Sequence, residues 1–474
     1  MSIPNYTLRP KFHFTPATNW MNDPNGLVYE NGRWHLFYQY NPLDSYWGNM
    51  SWGHASSSDL QNWDENPVAI RFREGEQIFS GSAVAVEHNG TEALMAFYTS
   101  AFDIGHQAQS RALSYDSGLT WQEDPNNPIL DRGTPAFRDP KIIRYQDPAG
   151  ATSWVMVVVE AEDRQVLFYR STDLETWDYL SAYGPCGVDG VVWECPDLLY
   201  LPVAGSSEHR WVLTLSTNPV GENPAPIGSS MSYVVGDFDG TTFTADSTDP
   251  AGDSLLIPLD HGRDFYAGVT FDSAPGGAAT MMGWMSNWRY AANVPTTPWR
   301  GSMSLPRNLH LRRIDGELRL VQELPQFVSD HLDNSPSQSL RDLDKSYEFS
   351  VPQHAVLRFT WEPRATGALN LLLGEKGSAY LEITHAPTTQ QITVTRGGKD
   401  AEALHPDFPS TATMTCLEPG QANLDIAIDG SLVEVFAEHG LTTASNLVFF
   451  SGEITPAVLR TEQPGEVQFT LCQK

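Results

Sequence analysis

One apolar, strand-like run returns five times in the first three hundred residues, and its period constrains the fold more than any other feature. The copies are Trp34–Tyr40, Leu94–Ser100, Trp154–Glu160, Trp211–Thr217 and Met281–Asn287, and their starts lie 60, 60, 57 and 70 residues apart. Each is short and rich in β-formers, as a buried strand must be. A second run precedes each one: Asp23–Tyr29, Ser80–Val86, Asp139–Tyr145, Glu194–Tyr200 and Phe265–Phe271. Turn residues such as Glu30-Asn31-Gly32 and His88-Asn89-Gly90 separate the two runs, which is hairpin chemistry. A third element ends on Trp63, Trp121 and Trp177, with a looser copy at Gly236–Phe243. Three or four strands per unit, repeated five times, predict an all-β chain whose first part is a five-bladed β-propeller.

Beyond about residue 325 the pattern changes. Ser329–Ser339 is polar and reads as a linker. After it come the short runs Ala355–Trp361, Ala368–Leu373, Tyr380–Ile383, Gln391–Thr395, Leu424–Ile428, Leu432–Ala437 and Glu466–Leu471. Asp429-Gly430 between two of them is a strong hairpin turn. The expected organisation is a propeller over 1–325 followed by a C-terminal β-sandwich over 340–474.

In a propeller the innermost strands converge on a central channel. The occupants of one shared position, in blade order, read Asp23, Ser80, Asp139, Glu194 and approximately Phe265. Three acids in one space are costly and push one another's pKa values apart. That is the arrangement a glycosidase needs, with one carboxyl protonated and another ionised. Asn22 and Gln39 can bind sugar hydroxyls and Arg138 can fix Asp139, while Trp20, Trp47, Trp52, Phe79 and Trp193 are candidate aromatic walls.

The remaining chemistry is sparse. A net charge of −29 argues against nucleic acid or an anionic membrane as partner. Four cysteines make no disulfide framework, and neither a CxxC nor an HExxH spacing occurs, so neither a metal nor a cofactor is expected. The segment Met1-Ser2-Ile3-Pro4 lacks a signal-peptide pattern, so the chain reads as cytoplasmic as written, or as secreted if a signal has been removed. Oligomeric state is open.

Trp20–Gly26 (WMNDPNG), Phe79–Ser82 (FSGS), Arg138-Asp139-Pro140 and Glu194-Cys195-Pro196 together resemble glycoside hydrolase family 32, the invertases, exo-inulinases and levanases. Tyr38–Pro42, Trp47–Met50, Asp264–Ala267 and Trp299–Arg307 match in the family's order, and Val433-Glu434-Val435-Phe436 echoes its C-terminal domain. The resemblance implies a retaining β-fructofuranosidase that hydrolyses terminal fructosyl residues of sucrose or fructans such as inulin and levan. It implies Asp23 as nucleophile, Glu194 as acid/base and Asp139 as transition-state stabiliser. Asn22, Gln39, Trp47, Phe79, Ser80, Arg138, Asp264 and Trp284 would be the substrate-binding residues. A fructosyltransferase using the same carboxylates is the alternative. A non-catalytic propeller and an enzyme acting on arabinose or xylose polymers are further readings.

Overall fold

The structure, a computed structural model, describes residues 8–221, 228–247, 255–341, 346–362, 366–418, 422–452 and 454–473. The Met1–Pro4 segment lies outside the described residues. Five sheets form the first part, each with a four-stranded antiparallel core and two of them with a short fifth strand. Their inner strands are Asn19–Glu30, Glu76–His88, Phe137–Gln146, Val191–Pro202 and Tyr266–Thr270. The second strands are Arg33–Asn41, Thr91–Phe102, Thr152–Glu160, His209–Pro219 and Ala279–Trp284. All five repeat units become blades. The fifth apolar run overshoots, because its strand stops at Trp284 and Met285–Asn287 begins the long connection to Arg307–Ile314.

Between neighbouring blades the apolar side chains interlock. Val84, Met95 and Phe97 of blade two pack on Phe137, Met156 and Leu167 of blade three. Equivalent clusters join each further pair of neighbours, blade five to blade one included. The ring is closed by backbone pairing, since Trp299-Arg300 runs parallel to Asn19-Trp20. The third repeat element is the turn between the third and fourth strands. In blade one, Asp59 Oδ1 accepts the backbone N–H groups of Gln61 and Asn62, and Ser57 Oγ accepts that of Leu60. Ser171 and Asp173 make the same turn in blade three, and Ser114 and Asp116 a close variant in blade two. Short polar side chains satisfy turn donors in this way.

The second part is two facing six-stranded sheets, a β-sandwich with one continuous apolar core. The expected runs are strands, and the tight turn between Ala422–Asp429 and Leu432–Ala437 is Gly430-Ser431, one residue later than expected, because Asp429 still pairs with Leu432. Ser329–Ser339 is not an irregular linker. A helix occupies Gln326–Asn334, followed by the strand Ser337–Leu340. Val328 and Leu332, one turn apart, are buried against Phe12, Leu305 and Phe436, so the polar residues simply form the solvent face. No helix among the described residues is long and apolar enough to cross a membrane.

Candidate active site

Every inner strand is interrupted at the same height. Its register with the second strand slips after Met21, Phe79, Arg138, Glu194 and Tyr266. A bulge breaks the alternation of a strand and re-aims side chains, so each blade turns consecutive residues toward the channel mouth. Asp139, Cys195 and Ala267 take left-handed φ values of 64°, 49° and 54° at this point. The bulges correct the expected alignment. Counted from Pro24, Pro140 and Pro196, Cys195 stands opposite Asp23 and Asp139, while Glu194 stands opposite Asn22 and Arg138. The fifth blade contributes Ala267 and Tyr266 rather than Phe265, which is buried in the core beneath the Arg307 guanidinium.

The three acids nevertheless share one space. The Cys195 thiol lies 3.6 Å from Asp23 Oδ2 and 3.7 Å from Asp139 Oδ2. Arg138 bridges the other pair, with Nη2 3.0 Å from Glu194 Oε1 and Nε 3.9 Å from Asp139 Oδ2. Asp23 is oriented by Ser80 Oγ, which donates to Oδ2 at 2.7 Å, and by Asn22 Nδ2, which donates to Oδ1 at 3.0 Å. Trp20 Nε1 in turn holds the Asn22 carbonyl at 2.8 Å. Asp139 Oδ2 accepts the Cys195 backbone N–H at 3.0 Å, and Asp139 donates its own N–H to Thr99. The second oxygen of Glu194 accepts the Tyr266 hydroxyl.

Burial sets the electrostatics. It pushes the Asp23 carboxyl above the ordinary range; Ser80 and Asn22 counter this, and Glu194 adds to it. Burial also raises Asp139, Arg138 pulls it back, and the charges on Glu194 and Asp23 raise it further, to about 7. The Cys195 thiol is pushed far up by burial and by the three carboxylates around it, so it stays protonated as a donor.

The expected substrate-binding residues divide. Asn22, Ser80 and Arg138 contact the acids directly. Gln39 is buried one strand back, its amide donating to the Ile78 carbonyl two residues before Ser80. Trp47, 48% exposed, meets half-buried Phe79 edge-on at 6.0 Å, and these two form the aromatic wall. Trp284 is fully buried among Trp20, Tyr266 and Cys195, so it backs the site instead of facing it. Trp52 and Trp193 are also buried, in the cores between blades.

Asp264 is not in the pocket. Its carboxylate accepts Tyr290 Oη at 2.7 Å, Arg396 Nη1 at 2.6 Å and the Leu447 backbone N–H at 2.8 Å, all where propeller meets sandwich. Held by three donors and fully buried there, the carboxylate does not reach a sugar in the channel. Tyr266 and Cys195 are contacts that a reading of acids alone passes over. Aligning the units on their prolines reveals Cys195, and the Asp264–Ala267 run contains Tyr266.

A ring of blades with two buried carboxyls around one thiol, a third carboxyl on a hydroxyl and a guanidinium, and an aromatic wall at the mouth is the arrangement of a glycoside hydrolase. Residues 13–323 match the N-terminal domain of glycosyl hydrolases family 32 and residues 322–471 match its C-terminal domain, and the chain belongs to that family. It is 36% identical to an extracellular exo-inulinase of Aspergillus ficuum, over 95% of this chain and 91% of that protein. It is also 36% identical to a levanase of Bacillus subtilis, over 93% of this chain and 66% of the relative. A crystal structure of exo-inulinase from Aspergillus awamori superposes with a TM-score of 0.89 at 33% identity, covering 98% of each chain. A fructofuranosidase from Schwanniomyces occidentalis complexed with fructose does so at 0.86 and 30%, covering 100% of each.

Proposed function

We propose that the protein is a retaining β-fructofuranosidase that releases terminal fructose from sucrose and from fructans such as inulin and levan. The observation that carries this is the linkage of Asp23, Asp139 and Glu194 through one thiol and one guanidinium. Asp23 attacks the anomeric carbon, C2, of the fructosyl unit while Glu194 gives a proton to the departing glycosidic oxygen. The aglycone leaves and a fructosyl ester on Asp23 remains. Glu194, now ionised, takes a proton from water, which adds to C2 and returns Asp23 as a carboxylate. Two displacements retain the configuration. Arg138 and Tyr266 hold one Glu194 oxygen each, so the acid is oriented before substrate arrives. Asp139, beside the reacting centre, accepts fructose hydroxyls and stabilises the positive charge that develops there.

Water is the acceptor in this reading. Relatives named as extracellular enzymes, and the size of a fructan chain, support action outside the cell. The test is the product profile on sucrose, inulin and levan at early and late times. Free fructose must dominate throughout and be lost in Asp23→Ala. Dominant oligosaccharides or a cyclic difructose at high substrate would overturn hydrolysis in favour of transfer.

A further inference from the structure

At one end of the sandwich core, far along the chain from the catalytic acids, three side chains with metal-ligating atoms meet out of water. His385 lies on the strand Tyr380–Ala386, Cys416 follows the strand Ser410–Thr415, and Glu438 opens the turn Glu438–Gly440. Their ligand atoms all fall within 4.8 Å of one another. His385 and Glu438 are 0% exposed and Cys416 is 2% exposed. The Cys416 sulfur stands 3.5 Å from His385 Nε2 and 3.0 Å from Glu438 Oε1. Bonds of 2.0–2.3 Å at tetrahedral angles would set neighbouring ligand atoms about 3.3–3.7 Å apart. The S···N edge already has that length, and the S···O edge needs to open by a few tenths of an ångström.

Charge makes the same point. The other buried acids of the sandwich each pair with an arginine or with His13: Asp425 has Arg358, Asp429 has His13, and Glu434 has Arg307 and His13. Among the described residues no arginine or lysine pairs with Glu438. It accepts instead the Cys416 thiol, the backbone N–H groups of Leu417 and Glu418 and the Thr442 hydroxyl. A cation at that place would supply what the other three acids already have. The backbone that aims it inward is strained as well, since Glu438 and His439 both hold left-handed φ, at 54° and 58°. Glu434, four residues earlier on the strand Leu432–Ala437, carries no such backbone penalty.

We infer that Cys416, His385 and Glu438 form a site for one divalent transition-metal ion of zinc type, held by these three protein ligands. On binding, the Cys416 thiol releases its proton to solvent and ligates as thiolate, His385 ligates through Nε2 as neutral imidazole, and Glu438 ligates as carboxylate. Two negative charges against a dication leave a neutral cluster, as a buried position requires. His385 and Cys416 belong to one sheet of the sandwich and Glu438 follows a strand of the other. Gly440, closing the same turn, is so tight on the Gln322 carbonyl of the last propeller blade that a Cβ there would come within 2.2 Å. The ion therefore ties both sheets together beside the domain junction. No local spacing announces the site, because its ligands come from three separate elements.

Chelator-treated full-length protein titrated with Zn2+ and, separately, with Co2+ tests this. One equivalent is expected to bind, releasing about one proton, raising the melting temperature and, for Co2+, producing a thiolate-to-metal charge-transfer band. Cys416→Ser removes the band and weakens affinity at least about tenfold. If that variant does not fold, His385→Gln keeps the thiol and still lowers affinity. Absence of the band in the wild-type protein, or metal affinity unchanged in the variants, overturns the proposal. Fructose release plays no part in these readouts, so they stand apart from the catalytic reading.

Discussion

Asp139 is held where its charged form is expensive. Its pKa, raised to about 7 from an ordinary 3.8, means that the folded state binds a proton more tightly than the unfolded chain does. Stability from this residue is therefore present at low pH and is lost as pH rises from about 4 through about 7. Asp139→Asn keeps an oxygen for the Cys195 N–H and removes the charge. It should melt higher than the wild type at pH 8, with the gap closing toward pH 4, while fructose release collapses; equal melting at pH 8 would refute this account. Cys195 makes a second residue-level case. Its thiol helps to lower the Asp23 pKa, opposing burial. Cys195→Ala should move the acid limb of the kcat/KM profile to higher pH and reduce kcat/KM about tenfold, the scale of one hydrogen bond to a charged group. An unmoved limb would show the thiol to be only packing.

Among elements, the turns that join third to fourth strands are repeated stabilising devices. Asp59 caps its turn without touching the pocket. Asp59→Ala should cost about 1 kcal/mol, a fall of about 1–2 °C in melting temperature for a domain of this size, with activity per folded molecule unchanged. Loss of activity without loss of stability would contradict that assignment. The bulges are the functional devices. They were not legible from hydrophobic runs, because a period-two pattern carries no mark where two residues oppose one. Hence Glu194 and Cys195 exchange places relative to a simple alignment of repeats. The helix Gln326–Asn334 was hidden for a related reason, since only two buried side chains define its face. The strand Thr442–Leu447 was also missed. Its six residues are all buried, mostly small and hydroxylated, and show no alternation.

Across the whole molecule, buried charges join the two domains. His13 Nδ1 lies 2.8 Å from Asp429 and Nε2 2.9 Å from Glu434, and Glu434 also meets Arg307. Burial opposes a charge on His13, yet the two carboxylates prevail and raise it to about 9. Because that exceeds the ordinary 6.5, its contribution is complete below pH 6.5 and disappears as pH rises through about 9. His13→Gln should melt lower than the wild type at pH 6 and show a flatter decline between pH 6.5 and 9. Parallel curves would show that His13 is neutral in the folded protein.

Much was decided by the chain's own pattern. Five evenly spaced apolar runs with turn residues between them permit little except a ring of blades, because each sheet can bury its faces only against its neighbours. That Asp23, Asp139 and Glu194 share one space followed from where the runs begin. Tertiary structure alone decided which residues those acids touch. It removed Asp264 to the domain junction, where Arg396 from the sandwich, distant in sequence, claims its oxygens. It drew Tyr266 and Cys195 into the site through bulges. It also brought His385, Cys416 and Glu438 together from separate strands. Local periodicity reports which face of an element is buried; which side chains meet across that burial depends on register and on how the sheets close.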